Sequence, residues 1–441
     1  MKLAVVGTGH VGLVTCGSMA RFGHEVVGTD TDTTKIELLN AGEMPFFEPG
    51  LPELIEEGVR EGRLSFTDEI ETAIKGAAAV FICVGTPPRA SGEANLAAVE
   101  ESSRTAIRHA TGPLLIVEKS TVPAGTAHRI KRTVRLERPE IADDVDIVSN
   151  PEFLREGKGV EDALNPDRIL VGAESDRAFS TMREIYKPLL DRGIPLFETN
   201  IPTAEMAKHA SNAFLSLKIS FANAIARMCE RADADVVDVA NVMGADERIG
   251  RQFLNAGLGY GGSCFSKDLL AFGRLATRLG YDFPILDEIA RINDETAVSV
   301  IDKVRDALWN MDDKRVAILG LAFKPDTDDI RFAPALTVAR GLLDEGANVV
   351  GYDPQASANS KAELPDLEIA QDAYSACEGA HCLVLATEWQ EFKELDLERI
   401  RREMRYPVVI DGRNLFDPVE MSRLGFTYYP TGRPQIPAND S

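Results

Sequence analysis

The segment Lys2-Leu-Ala-Val-Val-Gly7-Thr-Gly-His-Val-Gly12, at the start of the chain, carries the strongest fold signal. Its apolar run leads into the spacing Gly-x-Gly-x-x-Gly, and Asp30 ends the next apolar run. In a strand-turn-helix unit, such glycines make a tight turn and let the backbone approach a pyrophosphate, while the acidic residue accepts the ribose hydroxyls. The pattern predicts a dinucleotide-binding unit with contacts at Gly7, Gly9, Gly12 and Asp30.

The neighbouring strand ends refine this cofactor prediction. Asp30 would repel a 2′-phosphate, which favours NAD over NADP. The positive charge of Lys35 would instead favour a 2′-phosphate, but we expect Lys35 to contact the adenosine side of the cofactor or solvent. Thr86 and Thr121 follow two further apolar runs. Because ligands bind at the carboxyl ends of parallel strands, both threonines are candidate cofactor contacts, with ordinary loop residues as the alternative.

The same α/β rhythm occurs at both ends of the chain. Short apolar runs predict buried parallel strands in residues 3–6, 25–28, 79–84, 114–117, 146–148 and 168–171. After residue 312, three segments, 315–320, 346–353 and 382–386, repeat the patterns of 2–7, 23–30 and 80–84. We therefore predict an α/β fold with two doubly wound Rossmann-like domains, residues 1–199 and 312–441, joined by a long central helix and a helical middle domain, 200–311.

The central helix is predicted from one apolar stripe. Phe214, Leu217, Phe221, Ile225 and Met228 recur at helical spacing in a segment that we expect to run for about 27 residues, or ~40 Å. Thr203, after Pro202, is the expected N-cap of this helix.

Composition excludes several classes of protein. A chain of 441 residues exceeds one ordinary core, and 48 basic against 70 acidic residues, net −22, disfavour binding to nucleic acid or to an anionic membrane. Six cysteines form neither a disulfide framework nor a zinc pattern, so we expect no metal. No apolar stretch reaches 18 residues, and we expect a cytoplasmic protein.

The glycine-rich segment Gly257-Leu-Gly-Tyr-Gly-Gly262-Ser-Cys264 carries the strongest chemical signal. A cysteine at a helix start, with Lys267 nearby, sits where the helix dipole and positive charge favour the thiolate. Together with a nicotinamide site, this thiolate predicts addition to an aldehyde, hydride loss to give a thioester, and hydrolysis to a carboxylate. Cys16, Cys83 and Cys229 fit small core residues instead.

Other polar residues leave their roles open. Lys208 and Asn212 are four apart and share a helix face, which suits stabilisation of an oxyanion or, alternatively, a solvated surface. The segment 150–157 offers two carboxylates, and Asp268 offers a third. Any of them is suited to handling protons or water, and the residues alone do not rank them.

In this order the motifs resemble those of the nucleotide-sugar 6-dehydrogenases, and the resemblance extends to Gly-Leu-Ala-Phe-Lys-Pro-x-Thr-Asp-Asp-Ile-Arg at 320–331. It implies two NAD-dependent oxidations at the sugar C6, with UDP-glucose as the expected substrate and 312–441 as the UDP-sugar domain. It implies a homodimer or higher homo-oligomer in which Arg248 reaches the substrate of a neighbouring subunit. Implied catalytic residues are Cys264 as nucleophile, Lys208, Asn212 and Asp268 around the reacting oxygen, Glu152 as base, and Thr121 as the hydrogen-bonding partner of Glu152.

The same resemblance implies two sets of binding residues. The implied cofactor contacts are the glycine turn and Asp30, together with Val11, Lys35, Thr86, Thr121, Glu156, Lys267 and Arg331. Substrate contacts would be Glu152, Phe153, Leu154, Arg155, Glu156, Lys208, Asn212, Arg248, Phe253, Leu254, Asn255, Ala256, Gly257, Gly261, Lys324 and Arg413.

Three alternatives remain at this point. A relative in the same family would oxidise GDP-mannose or a UDP-N-acetyl-hexosamine. A 6-phosphogluconate-type dehydrogenase shares the fold and a Lys-x-x-x-Asn pair but needs no cysteine. A nucleotide-binding regulator would keep the fold without turnover. Two departures from the family pattern, His10 for Tyr and Ser266 for Pro, bear on affinity and not on the reaction.

Overall fold

A computed structural model describes residues 1–434 of the chain, which divide into two compact units. The first unit contains Met1–Ser211 and Leu270–Tyr281, and the second contains Asn212–Leu269 and the chain from Asp282 onward. These boundaries cut through the predicted middle domain. The division into three domains stays a prediction.

The first unit is built on an eight-stranded sheet with the order β3-β2-β1-β4-β5-β6-β7-β8. All neighbours are parallel except β6 and β7, which are antiparallel. The first six strands have the order of a dinucleotide-binding fold. The strands are β1 Lys2–Val6, β2 Glu25–Thr29, β3 Leu64–Thr67, β4 Ala79–Ile82, β5 Leu114–Glu118, β6 Val145–Ser149, β7 Ile169–Gly172 and β8 Leu196–Thr199.

Helices cover both faces of this sheet, which explains its continuous apolar strands. In β1, Leu3 and Val5 pack into one core while Ala4 and Val6 pack into the core on the opposite face. The helices are α1 His10–Arg21, α2 Thr33–Asn40, α3 Leu51–Arg60, α4 Ile70–Ile74, α5 Ala97–His109, α6 Thr126–Glu137, α7 Gly159–Leu164, α8 Asp176–Ile185 and α9 Lys187–Leu190, with a 3₁₀ turn at Pro139–Ile141.

All six predicted strands of this region are present, but β7, which was predicted as parallel, is antiparallel to β6. β3 and β8 were not predicted, because neither is a continuous apolar run: β3 alternates between buried and exposed residues, and two of the four residues of β8 are exposed.

Four helices occupy the middle of the chain. They are α10 Ile201–Ala232, α11 Val236–Gly244, α12 Ser263–Arg278 and α13 Ile285–Leu308. The long helix is confirmed at 32 residues, but its predicted N-cap is wrong. The side chain of Asn200 accepts the backbone N–H of Thr203, so the helix begins earlier and Thr203 lies inside its first turn.

The second unit contains a six-stranded, fully parallel sheet with the order β11-β10-β9-β12-β13-β14, which repeats the first six positions of the other sheet. The predicted internal repeat is therefore confirmed as a second Rossmann-like domain. Its elements are β9 Arg315–Leu319, α14 Pro334–Asp344, β10 Asn348–Tyr352, α15 Ser357–Glu363, β11 Glu368–Ile369, α16 Ala373–Cys377, β12 Cys382–Leu385, α17 Gln390–Lys393, α18 Leu397–Glu403, β13 Val408–Asp411, α19 Pro418–Arg423 and β14 Thr427–Pro430.

In α10 the predicted apolar stripe lies on the exposed face of the helix and not on the buried one. Its apolar stripe is largely exposed, with Phe214 at 60% and Met228 at 63%. Its buried residues are small apolar residues together with polar ones such as Lys208, Asn212 and Ser220. The solvated-face alternative for Lys208 and Asn212 is therefore wrong.

Across residues 1–434, no helix combines the length and the apolar character that crossing a membrane requires.

Candidate active site

Among the three glycines of the turn after β1, Gly9 alone has open space where a side chain would be. A Cβ on Gly7, where φ is +99°, would lie 2.7 Å from the carbonyl oxygen of Cys83, and one on Gly12 would lie 1.7 Å from that of Gly7. At Gly7 and Gly12 a side chain would clash with the backbone, so packing of the chain requires glycine there. At Gly9, by contrast, a Cβ would meet no atom within 4 Å.

Gly9 is also the N-cap of α1, and no side chain caps this helix end. Exposed N–H groups and the positive end of the helix dipole therefore face the open space beside Gly9. A pyrophosphate fits this space.

Asp30 is held at the same turn by several donors. Its Oδ2 accepts the backbone N–H of Thr8 at 2.7 Å and the Thr8 hydroxyl at 2.9 Å, and its Oδ1 accepts the N–H of Asp32 at 3.0 Å. Lys35 Nζ lies 3.8 Å from Oδ2. Burial raises the pKa of Asp30, but these donors and Lys35 outweigh it, so the pKa is lowered and the carboxylate stays ionised to accept ribose hydroxyls.

Thr86 and Thr121 lie together at the ends of β4 and β5. The Thr86 hydroxyl donates to the carbonyl of Thr121 at 3.0 Å, and Ser120 Oγ donates to the carbonyl of Val84 at 2.8 Å. The two strand-end loops are thus tied to each other, and both threonines stand at the carboxyl edge of the sheet.

A buried ion pair joins two predicted site residues of the first unit. Lys208 Nζ lies 3.1 Å from Glu152 Oε1, and both side chains are less than 10% exposed. Glu152 Oε2 accepts the N–H of Leu154 at 2.5 Å. Within the described part of the chain Lys208, and not Thr121, contacts the Glu152 carboxylate directly, and the implied role of Thr121 stays a prediction.

The rest of the segment 153–156 is arranged around this pair. Phe153 lies between two cations, with Arg168 3.8 Å and Lys208 5.3 Å from its ring centroid. Arg155 is engaged with Asp162 through its backbone N–H, Nε and a terminal nitrogen. Its proposed substrate contact would compete with this pairing. Glu156 has a buried carboxylate oxygen.

Cys264 differs from the other five cysteines, all six of which lie in the described chain. It is exposed, whereas Cys16, Cys83, Cys229, Cys377 and Cys382 are buried. Burial raises the pKa of Cys83 to about 12 and raises that of Cys16 and Cys229 as well. Cys264 is the second residue of α12, as predicted, where the helix dipole favours the thiolate.

A second polar pair lies in the same unit as Cys264. Asn212 Nδ2 donates to Asp268 Oδ2 at 2.6 Å, and both residues are buried. Lys267 Nζ lies 3.6 Å from Asp268 Oδ1. Because Asp268 is four positions after Cys264 on α12, the carboxylate and the thiol share a helix face.

The glycine loop before Cys264 packs on the turns of the second sheet. A Cβ on Gly261 would lie 2.5 Å from the carbonyl oxygen of Phe332, and one on Gly257 would lie 2.8 Å from that of Gly412. Gly262 donates its N–H to the carbonyl of Arg331 at 2.8 Å. The loop needs glycine because the C-terminal turns leave no space for side chains.

Three basic residues lie on these turns. Arg413 Nε donates to the carbonyl of Ala386 at 2.7 Å, Lys324 Nζ lies 5.3 Å above the Phe323 ring, and Arg331 binds Asp329 through two nitrogens. The structure brings them together with Gly257 and Gly261. In the segment 253–257, Phe253 has a positive φ of +65°, Leu254 and Ala256 are buried, and Asn255 is exposed.

Arg248 lies apart from this cluster. Its side chain is 89% exposed and pairs with Asp246 at 2.5 Å.

Sequence reasoning missed the two asparagines that position the glycine loop. Asn223 Oδ1 accepts the N–H of Gly257 at 2.8 Å, and Asn293 bonds both backbone groups of Tyr260. The signal was present, since Asn212, Ser216, Ser220 and Asn223 recur at helical spacing and form the buried polar stripe of α10.

Comparison with known proteins identifies a family and several relatives of this chain. Residues 1–190, 202–295 and 317–418 match the NAD-binding, central and UDP-binding domains of the UDP-glucose/GDP-mannose dehydrogenase family. A UDP-glucose 6-dehydrogenase of Rhizobium meliloti is 44% identical over 440 residues, 98% of this chain and 100% of the relative.

Two further relatives support the match. UDP-glucose 6-dehydrogenase TuaD of Bacillus subtilis is 42% identical over 436 residues, 99% of this chain and 94% of the relative. The solved structure of a UDP-glucose dehydrogenase from Pyrobaculum islandicum is 38% identical, covers 97% of this chain and 96% of its own, and superposes with a TM-score of 0.89.

Proposed function

The chain belongs to the UDP-glucose/GDP-mannose dehydrogenase family, and we infer that it oxidises UDP-glucose at C6 to UDP-glucuronate with NAD. The single observation that carries the two-step reaction is Cys264, the exposed cysteine at the start of α12. A dehydrogenase that stops at the aldehyde needs no such thiol, whereas oxidation to an acid uses it as a nucleophile.

NAD supplies the hydride acceptor in both oxidations. The open space at Gly9, the uncapped end of α1 and the ionised Asp30 support its position, and Lys35, Thr86 and Thr121 are proposed as further contacts.

The first oxidation requires removal of the C6 hydroxyl proton as hydride leaves the carbon. We assign the stabilisation of the developing oxyanion to Lys208 and Asn212. Both are donors, both are buried, and each is already fixed by a carboxylate, Glu152 for Lys208 and Asp268 for Asn212. Donors that are fixed in advance need little reorganisation when charge develops.

In the second oxidation, the Cys264 thiolate adds to the C6 aldehyde and gives the alkoxide form of a thiohemiacetal. This alkoxide then releases hydride to NAD. This leaves a thioester on Cys264. Water then attacks the acyl carbon, the sulfur leaves as thiolate, and the sugar leaves as carboxylate. We propose Glu152, whose carboxylate is paired with Lys208, as the base that takes the proton of this water.

We propose that the nucleotide sugar is held by two regions. Lys324 and Arg413, on the turns of the second sheet, suit the diphosphate, and Gly257 and Gly261 let the backbone approach the ligand. The segment 152–156 is proposed to hold the sugar. Lys267, Arg331 and Glu156 are proposed cofactor contacts.

We propose a homodimer, or a higher homo-oligomer, formed through α10. Its exposed Phe214, Phe221 and Met228 make a contiguous apolar stripe, which water disfavours unless a partner covers it. The exposed Arg248 is proposed to reach the neighbouring subunit's substrate. Light scattering that gave the mass of one chain, 48.0 kDa, would remove this proposal.

The compartment and the domain limits are also proposals. The proposed compartment is the cytoplasm, since the chain uses nucleotide cofactors and shows no membrane-spanning helix in its described residues. We also propose the domain limits 1–199, 200–311 and 312–441, which limited proteolysis can test.

The stoichiometry of the reaction tests the proposed function. We expect about two NADH and one UDP-glucuronate per UDP-glucose, with much slower turnover of GDP-mannose and UDP-N-acetyl-hexosamines. One NADH per sugar would remove the two-step reaction, and faster turnover of another nucleotide sugar would remove the substrate assignment.

A further inference from the structure

A basic cavity in the first unit takes no part in the reaction proposed above. It has a volume of about 180 Å³, and its wall contains Arg89, Arg129, Arg274 and Arg278 together with one acidic residue, Glu93. None of the proposed catalytic, cofactor or substrate residues lines it. We call it the arginine cavity.

Three separate elements place these arginines around one space. Arg129 lies in the first turn of α6, and Arg274 and Arg278 are four apart on one face of α12. Arg89 belongs to a hairpin loop after β4 that is closed by the bridge between Pro88 and Ala94.

The loop is shaped to approach α12. Gly92 has a φ of +82°, and a Cβ there would lie 3.2 Å from Arg274 Nε. A side chain at Gly92 would therefore push against this guanidinium. Asn95 Oδ1 accepts a hydrogen bond from a terminal nitrogen of Arg89 at 3.3 Å and another from the backbone N–H of Ala97 at 3.1 Å, which ties Arg89 to the start of α5.

The positive charge of the cavity is not neutralised by the protein. In residues 1–434, Arg89, Arg129, Arg274 and Arg278 form no ion pair, whereas most arginines of this acidic chain do. Glu93 lies near Ser91, with 3.5 Å between the hydroxyl and the carboxylate, and does not pair with an arginine. Four arginines against one glutamate give the wall a net charge of +3 in a protein of net charge −22.

We propose that the arginine cavity binds a small polyanion with a diphosphate or triphosphate group. Guanidinium groups bind phosphate oxygens in pairs, and several that surround one space favour an anion with more than one charge. A volume of about 180 Å³ is several times the ~30 Å³ that one water molecule occupies, so phosphate groups fit in the cavity. Leu96 and Leu275 give it a partly apolar floor.

Occupancy is expected to affect turnover, because the wall consists of elements that also carry proposed site residues. The hairpin loop follows Thr86, the loop before α6 follows Thr121, and α12 begins with Ser263 and Cys264. A bound polyanion would tie these elements together through their arginines. We expect it to change kcat without competing with NAD or with UDP-glucose.

Calorimetric titration with inorganic pyrophosphate tests the proposal. The dinucleotide and nucleotide-sugar sites are first filled with NADH and UDP, so that added pyrophosphate reports the remaining site. We expect saturable binding with one site per chain, and at least tenfold weaker binding by the double variant Arg129→Gln/Arg274→Gln. The matched control is Arg132→Gln/Arg135→Gln, which removes the same charge from exposed residues of α6 outside the cavity.

The outcomes separate the proposal from its rivals. Loss of binding in the cavity variant and its retention in the control supports the arginine cavity. Equal weakening in both variants would mean a general charge effect, and no saturable binding to the wild type would mean that no such site exists; either result overturns the proposal. A cavity variant that binds no less pyrophosphate but changes the oligomeric mass would assign the arginines to a contact between chains, which also overturns it.

Discussion

The second sheet repeats the order of the first six strands of the other sheet, but the turns after the first strands, β1 and β9, differ. After Gly7 the helix α1 begins at His10, and the space beside Gly9 is open. After Gly320, which has a similar φ of +90°, no helix begins until Pro334. The position that corresponds to Gly9 is Ala322, which is buried.

The acidic residues that end the second strands differ in the same way. Asp353 is 2% exposed and accepts five donors of the protein: the N–H groups of Leu321 and Ala322, those of Gln355 and Ala356, and the indole of Trp389. Asp30 is 14% exposed and has fewer donors. The Asp353 carboxylate therefore stabilises the turn of its own domain, whereas the Asp30 carboxylate is more accessible to a ligand.

The comparison teaches that a repeated fold does not imply a repeated ligand site. The first turn offers backbone N–H groups and a helix end to a pyrophosphate. The second turn has filled that space with Ala322 and Phe323 and presents the side chain of Lys324 instead. In both proposed sites the ligand is an anion, but the donors proposed to bind it are different.

The largest effect is expected from Gly9→Ala. The added methyl group meets no atom of the protein, and φ at Gly9 is −78°, so folding is unimpaired and is expected to gain ~0.5 kcal/mol from the stiffer chain. The methyl group fills the space proposed for the pyrophosphate, and we expect the Kd for NAD to rise at least 100-fold. Ala322→Gly, at the corresponding position, is the control and should leave nucleotide binding unchanged. Tight NAD binding by Gly9→Ala would contradict the comparison.

Asp353→Asn and Asp30→Asn should separate stability from binding. Asn at 353 leaves buried donors without an acceptor, and we expect a loss of about 3 kcal/mol in the free energy of unfolding. Asn at 30 is expected to change unfolding by less than about 1 kcal/mol while weakening NAD binding about tenfold. Denaturant unfolding and NAD titration of both variants test this. Equal destabilisation by the two changes would mean that the carboxylates have the same role.

A third contrast concerns the buried carboxylates that end β5 and β13. Asp411 accepts the Tyr428 hydroxyl at 2.6 Å and three backbone N–H groups. Glu118 is fully buried, and neither of its oxygens has a hydrogen-bond partner of ordinary geometry, although Ser120 lies near enough to favour ionisation. Burial raises the pKa of Glu118 to about 8.

Glu118→Gln is therefore expected to stabilise the protein in alkaline solution. The folded state holds a proton that the unfolded state releases above about pH 4.5, so wild-type stability falls as pH rises from there through about 8. We expect the advantage of the variant over wild type to grow by ~4 kcal/mol between pH 5 and pH 9, measured by denaturant unfolding. A gain that does not depend on pH would contradict the raised pKa.

The smallest expected effect is that of Lys324→Ala. Loss of one charged contact to a diphosphate, ~1.5 kcal/mol, should raise the KM for UDP-glucose about tenfold and leave the KM for NAD unchanged. Lys324→Arg should retain most of the affinity. Lys393→Ala, an exposed lysine of the same unit, is the matched control. A change in the KM for NAD alone would mean that Lys324 contacts NAD and that its assignment to UDP-glucose is wrong.

The elements that sequence reasoning predicted are those with local signals. The apolar runs of β1 and β2, the glycine turn and the helix start at Cys264 each depend on neighbouring residues, and all are confirmed. The second doubly wound domain was predicted from the likeness of its sequence to that of the first.

The features that it missed depend on distant contacts. Glu152 pairs with Lys208 and Asn212 with Asp268 across 56 positions each, so no local pattern joins them. The apolar stripe of α10 was identified, but the periodicity of a helix does not tell which face is buried. The cap of α10 was misplaced because Thr203 and Asn200 are both good N-caps, and only the folded chain chooses between them.

The thioester on Cys264 is the central claim, and it is tested most directly by intact-protein mass spectrometry of Glu152→Gln after mixing with UDP-glucose and NAD and quenching in acid. This variant lacks the proposed base, so hydrolysis should be slow. We predict that the protein gains the mass of one UDP-glucuronyl group, located on the peptide that contains Cys264, and that Glu152→Gln/Cys264→Ser gains none. An unmodified Cys264 under conditions in which Glu152→Gln produces NADH would contradict the account.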